Sequence, residues 1–272
     1  MRNNQRRTGA AMAGPSAQPQ SLNFVVPTEF VELPSEGKYY PSDHPLHNQK
    51  TVEIKFMTAK EEDILSSEAL IKNNLVIDRL IESLLLEDIS AETLLLGDRS
   101  AILMAARISG YGRDYKITHR CRRCFHDNES SFDLTTHTVS KDCLSEKFLQ
   151  SKGVVYNDDT LTFDVTLPTS GVDIGLRLMT SEVEKQFSSY ENKEGVIVNF
   201  LSIIITKVNQ NTDPSYVRSF IEAMPARDSK YIRDLYPQLT PSVKMIAELT
   251  CEKCYTQSEE EVPLTAEFFW PE

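Results

Sequence analysis

From Thr51 onward, Val52, Ile54 and Phe56 alternate with polar residues, a pattern that predicts a strand with one buried face. A helix is predicted directly behind it. Thr58 stands three residues before Glu61, the spacing at which a hydroxyl and a carboxyl satisfy two free amides at a helix start. Ile64, Leu65 and Ala69, then Leu75, Leu80 and Leu84, lay an apolar stripe along one or two amphipathic helices. A further helix is predicted from Asp98 as N-cap, with Ile102, Ala105 and Ala106 on its buried face and Gly110 or Gly112 closing it. Tyr115 to His119 alternates again and leads into Cys121-Arg122-Arg123-Cys124, and a second strand is predicted near Phe132 to Leu134.

The second half of the chain repeats this order. Leu167-Pro168-Thr169-Ser170-Gly171 echoes Leu33-Pro34-Ser35-Glu36-Gly37, and Val172 to Ile174 followed by Leu178 to Thr180 echoes Val52 to Ile54 followed by Phe56 to Thr58. Ser181 and Glu184 again have capping-box spacing. At a constant offset of 130, Asp98 meets Asp228, Ile102 meets Ile232, both members of the two Cys-x-x-Cys pairs coincide, Phe125 meets Tyr255, Glu129 meets Glu259, and Leu134-Thr135 meets Leu264-Thr265. The matches extend beyond the cysteines, which argues for an internal duplication. The fold class expected is α+β: two pseudo-repeated units of short strands and helices, each contributing a strand-CxxC-strand knuckle to a shared zinc-ribbon-like site. The expected boundaries are a flexible arm at residues 1–28, a first unit at 29–150 and a second at 151–272.

Length and composition narrow the function classes. A chain of 272 residues can bury its own core without covalent staples. The formal charge is −11, and the arm carries Arg2, Arg6 and Arg7 with no acid, so the body is more acidic still by those three charges. Such a body repels phosphate backbones, which disfavours nucleic acid as a partner. The most apolar run, Val196 to Ile205, is too short to span a bilayer, and the basic N-terminus lacks the apolar centre of a secretory signal. A reducing compartment is expected, where cysteines serve as metal ligands or free thiols more often than in disulfides.

Cys121 with Cys124 and Cys251 with Cys254 have the spacing at which a tight turn aims two thiolates at one ion. Together they form a tetrahedral set for one structural Zn²⁺ per chain. A duplication would bring the two knuckles face to face across the residues that separate them. Redox chemistry is disfavoured because the pairs interrupt strands instead of opening helices. Cys143 falls outside the set and reads as a free thiol, while His126 is a possible substitute ligand. Arg120, Arg122, Arg123 and Lys253 flank the knuckles, where cations lower the cost of holding the −2 charge of a four-thiolate zinc. They also leave a zinc-ribbon nucleic-acid-binding module as the alternative reading, against which Glu252 and Glu259 to Glu261 stand. No glycine-rich phosphate loop or nucleophile motif is evident, so an enzyme is not indicated, and no small-molecule substrate or membrane partner is expected. Phe268, Phe269 and Trp270 are expected to pack into the second unit's core in preference to the alternative, an exposed anchor for a partner.

In order, Leu33 to Gly37 with Tyr39 or Tyr40, Phe56 to Leu65, Leu95 to Arg99, Ala106 to Ile108 with Tyr111, Gly112 and Tyr115, both Cys-x-x-Cys pairs, Pro263 to Thr265 and Phe268 to Pro271 resemble the T4-type phage baseplate protein family. The resemblance covers nearly the whole chain after the arm. It implies a non-enzymatic structural or assembly role at the hub of a contractile tail baseplate, with other tail baseplate or hub proteins as partners. It implies a location in the virion tail or an assembly intermediate, with the host cytoplasm as the place of assembly.

Overall fold

The computed structural model describes residues 25–188, 195–261 and 266–269. Strands β1 (Thr28–Glu32) and β2 (Thr51–Lys55) form an antiparallel hairpin in which Val31 pairs Val52 and Glu29 pairs Ile54. Three short helices follow: α1 (Ala59–Leu65), α2 (Glu68–Lys72) and α3 (Val76–Leu84). Thr58 and Glu61 form the expected capping box. The apolar stripe predicted as one or two helices is broken by the turns at Ser66-Ser67 and Asn73-Asn74, Asn74 adopting φ 54°.

Helix α4 (Leu96–Tyr111) leads into the hairpin β3 (Asp114–Arg120) and β4 (Asp127–Asp133), whose turn is the first knuckle. Gly112 ends α4 at φ 84°, as its freedom from a Cβ allows. Next come β5 (Thr138–Ser140), α5 (Glu146–Ser151) and an antiparallel sheet of β6 (Val154–Asn157), β7 (Thr162–Thr166), β8 (Asp173–Arg177) and, after two helices, β9 (Ile205–Val208). Those helices are α6 (Ser181–Ser188) and α7 (Val196–Ile204). The chain closes with α8 (Pro214–Ala223), α9 (Ala226–Leu239), β10 (Ser242–Lys244) and the hairpin β11 (Ile246–Thr250) and β12 (Gln257–Glu261), whose turn is the second knuckle.

The molecule is therefore α+β, with two pseudo-repeated units. Each contains a strand hairpin, helices, a helix opening two residues before an aspartate, and a cysteine hairpin. Asp98 is not the N-cap the pattern suggests, and its counterpart Asp228 is placed in the same way. Both sit two residues inside their helices, fully buried, with the carboxylate turned onto the Leu-Pro turn of the same unit. Asp98 accepts from the Ser35 amide at 3.0 Å, the Ser35 hydroxyl at 2.6 Å and the Tyr40 hydroxyl at 2.8 Å. Asp228 accepts from the Thr169 and Ser170 amides at 2.8 and 2.9 Å. Gly37 must be glycine: its φ is 71°, and a Cβ would lie 2.4 Å from the Gln49 nitrogen and the Leu46 oxygen.

The Ser181 and Glu184 capping box does not form. Ser181 is already inside α6 and its buried hydroxyl has no partner among the described residues, while Glu184 reaches away to Arg99 at 2.9 Å. That ion pair belongs to a network joining the halves, in which the buried Asp78 meets both Arg99, at 3.3 Å, and Lys185. Backbone pairing also crosses between them. β5 pairs β10, and Leu94 and Leu96 exchange hydrogen bonds with Ser181 and Met179. Tyr39 of the first half packs edge-on against Tyr156 and Phe163 of the second at 4.8 and 5.2 Å.

Phe268 and Phe269 are buried in the core as expected, and that core is continuous through both halves. Phe268 lies 5.1 Å from the Tyr115 ring of β3, and the Arg107 side chain of α4 donates to its carbonyl at 3.1 Å. The C-terminal turn thus packs onto α4 and β3 of the first half. Trp270, Pro263 to Thr265, and arm residues 1–24 lie outside the described residues. Val25 to Pro27 are described, and β1 begins at Thr28, the last residue of the expected arm.

Candidate metal centre

Each knuckle is built by its own backbone. The Phe125 amide donates to the Cys121 carbonyl at 2.9 Å and the Cys121 amide to the His126 carbonyl at 2.9 Å. In the second unit, the Tyr255 amide donates to the Cys251 carbonyl at 2.9 Å and the Cys251 amide to the Thr256 carbonyl at 3.0 Å. Closing this turn takes a left-handed residue just after the second cysteine. Phe125 supplies it at φ 58° and Tyr255 at φ 56°. The two turns are thus the same object made twice, and the strands on either side fix their direction.

The four sulfurs meet. Cys121 Sγ lies 3.6 Å from Cys254 Sγ, Cys124 Sγ lies 3.5 Å from Cys251 Sγ, and all four are within 4.8 Å of one another. Those separations rule out S–S bonds, which are about 2.05 Å long. They fit the edges of a tetrahedron of about 3.8 Å that four metal–sulfur bonds of about 2.3 Å would generate. Cys121 and Cys251 are buried and Cys124 and Cys254 half-buried, so the cluster has an inner and an outer side. The two knuckles therefore share one cluster of four sulfurs that could hold a metal ion. His126 contributes its backbone to the turn, and among the described residues no histidine side chain joins the sulfurs.

The surroundings favour thiolates at Cys254 and Cys251. The Thr256 hydroxyl, 3.2 Å from Cys254 Sγ, and the Thr256 amide pull that thiol down to about 6. Cys251 is buried, which opposes ionisation, yet the Cys254 and Lys253 amides outweigh burial and lower it. Cys124 goes the other way, to about 12: the His126 amide favours its thiolate, but desolvation and the facing sulfurs outweigh that bond. The Arg123 amide also points at Cys121 Sγ at 3.4 Å. A cation at the centre would remove the sulfur–sulfur conflict by giving every thiolate the same partner.

Two supporting residues were not legible in the sequence. Asn128, buried on β4, accepts from the Glu252 amide of the opposite knuckle at 2.9 Å and donates to the His126 carbonyl at 2.9 Å, tying one turn to the other. Its counterpart at the 130-residue offset is Ser258, so the repeat gave no hint of it. Thr256 is the other, and a threonine after a knuckle carries no spacing signal. Cys143 stays apart and free; it is buried, which pushes its thiol up to about 11. Of the flanking cations, Arg120 is engaged with Asp127 at 3.7 Å and with the Phe125 carbonyl at 3.2 Å.

Fold and centre together define a two-unit α+β protein with a closed four-cysteine cluster at the meeting point of its units. The chain belongs to the T4 bacteriophage base plate protein family, whose model matches residues 27–270. It is thus a phage baseplate protein. Comparison with curated proteins and with solved structures gave no match. No helix among the described residues is long and apolar enough to cross a membrane.

Proposed function

We propose that this chain is a non-enzymatic structural or assembly subunit of the hub of a contractile tail baseplate, made rigid by one structural Zn²⁺ held by Cys121, Cys124, Cys251 and Cys254. The observation that carries the reading is the convergence of four sulfurs from two hairpins 130 residues apart in sequence. Membership of the baseplate family supports a place in the virion tail and neighbours among other tail proteins. Four thiolates fill a tetrahedral shell and leave no open position for water or substrate, which suits a structural ion and not a catalytic one.

The reading includes a division into a first unit at 29–150 and a second at 151–272, with the metal as one of the ties between them. A clamp of this kind stiffens the junction without a large shared core, because zinc binding contributes about 10 kcal/mol or more in small structural sites. Rigidity suits a part held in a mechanical assembly. The alternative of a nucleic-acid-binding zinc ribbon gains little from the knuckle cations, since Asp127 and Glu252 stand exposed among them and the body is acidic.

Elemental analysis of the purified chain is expected to give one zinc per chain. Phage lacking the protein are expected to accumulate incomplete tails. Normal tails in its absence would refute the assembly role, and a metal-free chain with intact hairpins would refute the zinc clamp.

A further inference from the structure

We propose that Phe125 and Tyr255, at the tips of the two knuckles, are paired anchors for a neighbouring protein subunit whose surface offers apolar sockets rimmed with carboxylates. The proposal rests on the reading of this chain as an assembly subunit and names the face by which it docks.

Both rings occupy positions that folding alone disfavours twice. The residue that closes each turn is left-handed, with φ 58° at Phe125 and φ 56° at Tyr255, where a Cβ is strained and glycine is the comfortable choice. Each ring is also left in water: Phe125 is 66 % and Tyr255 78 % exposed. Neither backbone geometry nor core burial accounts for an aromatic residue there, yet both units have one at equivalent positions. Strain kept by a residue that earns no burial points to a contact outside the chain. Large aromatics are the side chains that dominate protein interfaces, because they bring much apolar area at little entropic cost.

Charge identifies the kind of partner. In a chain of net charge −11 the knuckle turns carry Arg120, Arg122, Arg123 and Lys253, all exposed. Arg120 lies over the Phe125 ring at 5.8 Å, so a cation and an aromatic face are presented together. This complements carboxylates around an apolar socket. A phosphate backbone fits less well, since Asp127 and Glu252 are exposed among the cations and the rest of the body is acidic.

The test uses phage deprived of this protein and supplied in trans with the wild-type chain, a Phe125→Gly/Tyr255→Gly variant, or a conservative Phe125→Tyr/Tyr255→Phe variant. The glycine variant relieves the strain, so it should keep one zinc per chain and melt no lower than wild type. Its incorporation into sedimenting baseplate intermediates should nevertheless fall tenfold or more, while the conservative variant incorporates normally. Normal incorporation of the glycine variant would overturn the proposal. So would loss of zinc or a lower melting point, which would make the rings part of the knuckle's own structure. A labelled single-stranded oligonucleotide at low salt should not bind. Binding that disappears in the glycine variant would instead assign the rings to base stacking. Absence of the wild-type chain itself from every intermediate would strike the assembly role, an outcome distinct from loss of the variant alone.

Discussion

Asp98 shows how one buried carboxylate can organise a turn 63 residues away. It holds the Ser35 amide and hydroxyl and the Tyr40 hydroxyl, and Tyr40 in turn accepts from the Leu95 amide at 3.0 Å. Burial pushes its pKa up in spite of these donors. Asp98→Ala should leave three donors unpaired and cost about 2–4 kcal/mol, read as a lower urea midpoint. An unchanged midpoint would show that water replaces the carboxylate. Glu61 is a second buried carboxylate, and for it the balance reverses. Burial pushes it up, but hydrogen bonds from Ser83 and Thr58 and the Lys55 ammonium at 3.2 Å outweigh burial and bring it down to about 2. Because the folded value lies below the ordinary 4.5, its contribution is complete above that pH and is lost as pH falls from 4.5 toward 2. Stability of Glu61→Gln should therefore fall less steeply than wild type across that window. Parallel slopes would contradict the assignment.

At the level of elements, the sequence shows what repeats and hides where it points. The Thr58 capping box, the alternation in β2 and β3, and the glycine that ends α4 were legible because each is set by neighbours in the chain. The role of Asp98 was not, because a side chain near a helix start can cap its own amides or reach to a distant turn, and spacing does not separate the two. Ser181 failed as a cap for the same reason: tertiary pairing of Leu94 with the Ser181 amide starts α6 one residue early. The C-terminal Phe268 and Phe269 were recognisable as core, but their packing on α4 and β3 of the first half was not. The sulfur pairing was legible because a duplication specifies a partner for each knuckle, whereas the Asn128 tie was not. Cys251→Ser lies in the second hairpin alone. If one ion is shared, the variant should lose zinc and increase amide exchange in both β11–β12 and β3–β4. Faster exchange confined to β11–β12, with one zinc retained, would mean that the knuckles are independent.

The whole molecule is two similar units joined by ties of different character. Strands β5 and β10 pair across the junction, Arg99 and Lys185 meet Asp78, the Tyr39 ring packs on Tyr156 and Phe163, and the four sulfurs converge at the cysteine hairpins. Hydrogen bonds and packing fix the main bodies, so the hairpins are the parts most dependent on an ion: two-stranded ribbons have little stability of their own. The most direct measurement is X-ray absorption at the zinc edge of the purified full-length chain. Four sulfur neighbours at about 2.3 Å, with one zinc per chain, are predicted. A first shell containing nitrogen or oxygen ligands in place of any of the four sulfurs would contradict the shared four-cysteine centre.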